Sequence, residues 1–185
     1  MCFPLPSGVP SDRDTHQEPP TVRKEAIGIF GQRAFGKTVL ANRIARGLKA
    51  SAVYVVCPAY LGECYGTEGV TYIDQEKEED VRALYRRHES PVVVVFDQAE
   101  YCPREAQRFI VNARFYNIHV IACYQILSFV DRYTMSQLTR MHLFRSKSPR
   151  VRSEIKEHYL NPGDTMDDFD AKTAGQYTTY EFLCD

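Results

Sequence analysis

No stretch of the sequence approaches the ~18 consecutive apolar residues that a membrane-spanning helix needs. The longest apolar runs, Ala52 to Cys57 and Val92 to Phe96, have the length of strands, so a soluble chain without membrane insertion is expected. An excess of either charge is also missing. With 23 basic and 24 acidic side chains the formal net charge is -1, which excludes a globally basic nucleic-acid binder and a long acidic tail. Any contact with nucleic acid must be local. The six cysteines lack paired spacing, and several fall inside apolar runs, where a thiol packs as a small hydrophobe. A reducing, intracellular setting is therefore expected rather than a disulfide framework. Met1 to Gly8 has no basic region leading into an apolar core, so no secretory signal is expected.

At 185 residues and 44% hydrophobic content the chain can bury one core, and one domain is expected. Five of the ten prolines fall in the first twenty residues, among Ser, Asp and Gln. Residues 1–24 therefore read as a flexible arm and residues 25–185 as the folded domain. From Glu25 onward short apolar runs alternate with helical periodicity, the pattern of an α/β sheet with crossover helices. Strands are predicted at Ala26 to Phe30, Ala52 to Cys57, Val92 to Phe96, Ile118 to Tyr124 and Met141 to Phe144. Most are β-branched and apolar on both faces, as in a buried parallel sheet. Val70 to Ile73 adds a short strand, and Gln176 to Leu183 alternates weakly, as an edge strand would. Helices are predicted over Lys37 to Lys49, Glu78 to His88, Pro103 to Phe115 and from Pro149 to Tyr159, the last stopped by Asn161-Pro162-Gly163.

Gly31-Gln32-Arg33-Ala34-Phe35-Gly36-Lys37-Thr38 matches G-x-x-x-x-G-K-[ST], the Walker A phosphate-binding loop, directly after a buried strand and at the opening of a helix. Its glycines let the backbone curl so that successive amides face a β-phosphate, and the helix start adds partial positive charge there. Lys37 is placed to bridge β- and γ-phosphate oxygens of ATP, and the Thr38 hydroxyl to ligate Mg²⁺. Phe35 is bulky where such loops often carry a small residue, and is tolerated if its ring turns away from the nucleotide. Val92 to Phe96 delivers Asp97 at the carboxyl end of a strand, where open α/β sheets bind ligands and where a carboxylate can hold Mg²⁺ through water. Gln98 follows where many such ATPases carry the glutamate that activates water, and Glu100 is the nearest substitute. Gln125, ending a third buried strand, can donate a hydrogen bond to the γ-phosphate or the attacking water.

Residues 132–152 carry Arg132, Arg140, Arg145, Lys147, Arg150 and Arg152 without an acid. One of these arginines can stabilise charge on the transferring phosphoryl group. Arg140 is the first choice, followed by Arg132 and Arg145; others suit solvated faces or a nucleic-acid backbone. His119 and Cys123 lie within an apolar strand, which favours packing over metal binding. Tyr54, Tyr60 and Tyr65 suit half-buried packing or a base-stacking platform.

Taken in order, the loop at Gly31 to Thr38, the run Val92 to Asp97, the run Ile118 to Gln125 and the segment Leu138-Thr-Arg-Met-His-Leu-Phe-Arg145 resemble the poxvirus-type genome-packaging ATPases of the FtsK/HerA superfamily. The resemblance spans about Glu25 to Leu183. It implies a three-layer, mainly parallel P-loop fold in which the Gln125 strand lies between the strand before Gly31 and the strand ending at Asp97. It also implies a homo-oligomeric ring that drives double-stranded DNA into a preformed viral capsid, acting with portal or membrane-vertex proteins in the virion or infected cell, with an arginine of one subunit reaching its neighbour's ATP. Phe35 and Gln98 depart from the pattern. Two other functions fit the residues: a P-loop nucleoside or nucleotide kinase whose arginine stretch forms a lid, and an ATP-gated assembly subunit with little turnover, which Gln98 suggests.

Overall fold

The computed structural model describes residues 24–58, 65, 69–175 and 177–184. Strands β1 (Ala26–Phe30), β2 (Ala52–Cys57), β3 (Val70–Asp74), β4 (Val92–Phe96), β5 (Ile118–Tyr124), β6 (Arg140–Leu143) and β7 (Tyr180–Leu183) form one sheet in the order β3-β2-β4-β5-β1-β6-β7. Every neighbouring pair is parallel except β6 with β7. Strand β5 thus lies between β4 and β1, the order that the resemblance implied. The arm expected over residues 1–24 falls, Lys24 apart, outside the described residues.

β1, β4 and β5 are buried at every position, because helices cover both faces of the sheet. Ile27, Ile29, Val93 and Val95 pack with Ala41 and Ala45 of α1 (Lys37–Gly47) on one face. Phe30, Val92, Val94 and Phe96 face the other side. There they meet α2 (Glu78–Ala83), α3 (Pro103–Tyr116), α4 (Arg132–Met135), α5 (Pro149–His158) and α6 (Met166–Lys172), through such residues as Val81, Phe109, Met135, Ile155 and Phe169. The result is three layers, and the alternation along each strand decides which layer a side chain joins.

Several boundaries differ from the sequence reading. α2 ends at Ala83 rather than His88 because the chain tightens: the Leu84 and Tyr85 amides donate to Val81 and Arg82, three residues back. The apolar face holds nevertheless, with Val81 and Leu84 buried and the Tyr85 ring 4.4 Å from Tyr116. α1 stops at Gly47, two residues early, as Leu48 turns to extended backbone while its amide still donates to Ile44. β6 begins one residue earlier, at Arg140. α6 is absent from the sequence reading, although Thr165 and Asp168 form a capping box that bonds in both directions.

Phe109 is 1% exposed, with its ring 5.2 Å from both Phe96 and Tyr85. Replacing it with alanine should cost about 3–5 kcal/mol through lost transfer energy and the cavity left behind. Urea unfolding measures this as a lowered midpoint, and an unchanged midpoint would contradict the packing described.

Candidate nucleotide-binding site

Because β1, β4, β5 and β6 run parallel, their carboxyl ends share one edge of the sheet, and the residue after each strand emerges there. Those residues are Gly31, Asp97, Gln125 and Phe144. Backbone bonds align them: the Gly31 amide donates to Tyr124, Phe144 to Phe30, and Asp97 to Val56, at 3.1, 2.9 and 2.9 Å. The edge also borders a cavity of about 250 Å³ lined by Gly31, Gln32, Gln125, Leu127, Phe144 and Arg145 among others.

The loop leaves β1 through Gly31, where a Cβ would stand 2.7 Å from the Phe144 Cβ, so glycine is what lets the two strands' exits lie together. Ala34 and Gly36 adopt left-handed backbone, φ 64° and 94°, reversing the chain into α1. The Phe35 ring packs on the α1-side core, edge-on to Phe144 at 6.3 Å, which accounts for a bulky residue in this loop. Gln32, Arg33 and Ala34 are exposed. Lys37 is 8% exposed, and its Nζ donates to the carbonyls of Gly31 and Gln32 at 2.7 and 3.0 Å. Burial lowers its pKa, and the charges of Asp97 and Glu100 oppose that shift. The ammonium is thus folded across the mouth of the loop, on carbonyls that phosphate oxygens can replace.

Asp97 is 2% exposed and directly follows Phe96, which pairs with Ala122 of β5. Its Oδ2 accepts from the Thr38 hydroxyl at 2.7 Å and from the Tyr65 phenol at 3.0 Å. Burial, then neighbouring charge that includes Asp97, raises the Tyr65 pKa well above the usual tyrosine value, so the phenol remains a donor. Gln98 has left-handed backbone at φ 62° and opens the single helical turn Ala99–Tyr101. That turn carries Glu100 back to the site. Both Glu100 carboxylate oxygens are buried without a partner of good hydrogen-bond geometry among the described residues. Burial raises its pKa, while its own backbone amide, the Gln125 amide and the Lys37 ammonium pull the other way. A half-buried carboxylate next to an ammonium and a carboxamide is suited to accept a proton from water.

Among the arginines, Arg145 lies on this edge and lines the cavity. Arg140 sits at the opposite end of β6, paired in register with Ile27, and contacts Glu25 and Glu181, each at 3.3 Å; it does not reach this chain's own Gly31–Thr38 loop. Arg132 is exposed on α4, and Arg152 holds Asp170 of α6 through two bonds of 2.6 and 2.8 Å. His119 accepts from the Glu25 amide at the amino end of the sheet. Tyr54 is half-buried near His88, and Tyr60 lies outside the described residues. The part of Tyr65 beside Asp97 was not legible in the sequence. Nor was Tyr177, whose ring packs against Gly36.

Glu100 yields a stability prediction. A carboxylate whose folded pKa is raised stabilises the fold below its unfolded value, near 4.5, and loses that contribution as pH rises through the folded value. Glu100→Gln should therefore raise the melting temperature at neutral pH, with the gain shrinking as pH falls towards 4.5. A gain independent of pH would contradict the burial of an ionisable group here. Tyr65→Phe should keep the fold but remove the phenol's bond to Asp97, costing about 1–3 kcal/mol in urea unfolding; an unchanged midpoint would mean that the phenol does not reach the carboxylate.

No protein-family model matches the sequence, and no curated protein matches it. Solved structures do match. The genome packaging NTPase B204 from Sulfolobus turreted icosahedral virus 2, in complex with ATP-gammaS, has 14% identity and a TM-score of 0.63 over 88% of this chain and 93% of that one. The DNA-packaging ATPase B204 from Sulfolobus Turreted Icosahedral Virus has 15% identity and a TM-score of 0.64 over 86% and 92%. EssC (ATPases 2 and 3) from Geobacillus thermodenitrificans has 12% identity and a TM-score of 0.53, over 86% of this chain and 39% of that one. With a seven-stranded, mostly parallel sheet, the chain has a fold similar to that of these genome-packaging NTPases and of the EssC ATPases.

Proposed function

We propose that this chain is a Mg²⁺-dependent ATPase, the subunit of a ring-shaped motor that translocates double-stranded DNA and packages a viral genome into a preformed capsid. The observation that carries the proposal is the meeting, at one sheet edge, of the loop Gly31 to Thr38 with Asp97, Glu100 and Gln125. B204, whose fold is similar, has been solved with ATP-gammaS and with AMPPCP, which supports a nucleotide triphosphate as the ligand.

In this reading the loop amides hold the β-phosphate and Lys37 exchanges its carbonyl partners for phosphate oxygens. Glu100 accepts the proton of the attacking water, and Gln125 orients that water or senses the γ-phosphate. The raised pKa of Glu100 brings its proton affinity closer to working pH, which favours a general base. Thr38 and Asp97, two oxygen donors 2.7 Å apart, are the residues that would hold Mg²⁺. When bound, the ion supplies positive charge against the β- and γ-phosphate oxygens. The arginine that completes the site comes from a neighbouring subunit, with Arg140 the first choice, then Arg132 and Arg145. DNA, the capsid and its portal or membrane-vertex proteins are the proposed partners, in the virion or infected cell.

Purified protein should release phosphate from ATP, faster with duplex DNA, and Lys37→Ala should reduce release to background; hydrolysis unaffected by that substitution removes the core of the proposal. If a neighbour's arginine completes the site, specific activity falls on dilution. Constant specific activity across a dilution series of phosphate-release assays argues for a site complete within one chain.

A further inference from the structure

We propose that Tyr177 is the platform on which the nucleobase stacks. The inference rests on the nucleotide-binding reading above and names the part of the site that holds the nucleoside.

The triphosphate has only one way to run. Asp97 and Gln125 follow β4 and β5, on one side of β1, so a triphosphate whose γ end faces them carries its nucleoside towards the other side, where β6 and β7 lie. Tyr177, three residues ahead of β7, is an aromatic residue on that side. Its ring lies so close to Gly36 that a methyl group in place of the glycine hydrogen would collide with Cδ1. Even so, the residue is 51% exposed, so the ring is pressed against the loop while part of it stays open to solvent. For a large apolar ring at the rim of a ligand site, that combination leaves a surface for another flat ring to cover.

The backbone holds the ring in this position. Tyr177 has φ 63°, a left-handed conformation that side chains of this size seldom adopt unless their surroundings impose it. On its carboxyl side the Thr178 amide and hydroxyl both bond the Gly175 carbonyl, at 3.4 and 2.8 Å. Two residues further on β7 begins, and Tyr180 pairs with Leu143 of β6. The tail is thus tied to the strand next to β1, and the loop and the ring are carried by β1 and β7 of one sheet, with β6 between them. Gly36 serves both halves of the site, since its missing side chain admits the ring on one side while its backbone turns into α1. Stacking reads a π-face and not a pattern of hydrogen bonds, so the platform does not by itself choose among bases.

The test compares ATP with inorganic tripolyphosphate, which has the same phosphates and no base, by calorimetric titration in magnesium buffer. From the usual strength of ring stacking, Tyr177→Ala should weaken ATP binding roughly five-fold or more while leaving tripolyphosphate within two-fold of wild type. Tyr177→Phe should keep ATP binding close to wild type. Unchanged ATP affinity in Tyr177→Ala overturns the proposal, as does an equal loss for both ligands, which would mean that the ring only braces the loop. Lys37→Ala separates the two readings. If it leaves both ligands bound as before, the phosphate-loop assignment itself has failed; if it weakens both while Tyr177→Ala weakens neither, only the base platform has failed.

Discussion

The 2.7 Å hydrogen bond from the Thr38 hydroxyl to Asp97 joins two residues 59 positions apart in the chain. It exists only because β1 and β4 run parallel, with β5 between them, and end at the same edge. Each strand is buried on both faces, so a slip of one residue would place apolar side chains in the wrong layer. The hydrophobic register therefore fixes where the carboxylate meets the hydroxyl. Site geometry here is a consequence of core packing, and the arrangement of Lys37, Glu100 and Gln125 follows from the same register.

The site combines groups whose environments oppose one another. Burial works against the charge of Lys37 and of Glu100, and each charge favours the other. Lys37 satisfies its ammonium on two loop carbonyls, while Glu100 keeps two buried oxygens without well-formed bonds among the described residues. An ammonium with exchangeable partners and an underpartnered carboxylate are both features that a ligand can complete. Buried polar atoms in this state are uncommon in cores; Glu100 carries two of them, and Gln75, Arg140 and His142 one each.

Strands and helices were legible in the sequence where burial leaves a simple pattern. Val92 to Phe96 is apolar on both faces and forms β4 over the same residues; Pro103 opens α3 as its missing amide suggests. The turn from β1 into α1 was legible because its glycines follow an apolar strand and precede a helical period. Where several partners determine a residue's role, the sequence was silent. Tyr65 reaches Asp97 from a segment with no periodicity, and Tyr177 meets Gly36 across more than a hundred residues. Charge density was also an incomplete guide to the arginines: two in the basic stretch serve ion pairs, Arg140 with Glu25 and Glu181, and Arg152 with Asp170. Thr165 and Asp168 did carry a readable signal, a helix-capping pair at the right spacing.

The central claim is that a triphosphate occupies the curl of backbone between Gly31 and Thr38. A crystal structure of the protein with a nonhydrolysable ATP analogue and magnesium tests it most directly. The account predicts the β-phosphate within hydrogen-bonding distance of the loop amides, with the Lys37 ammonium withdrawn from the Gly31 and Gln32 carbonyls and placed on phosphate oxygens. An analogue bound elsewhere, with Lys37 still on those carbonyls, would contradict it.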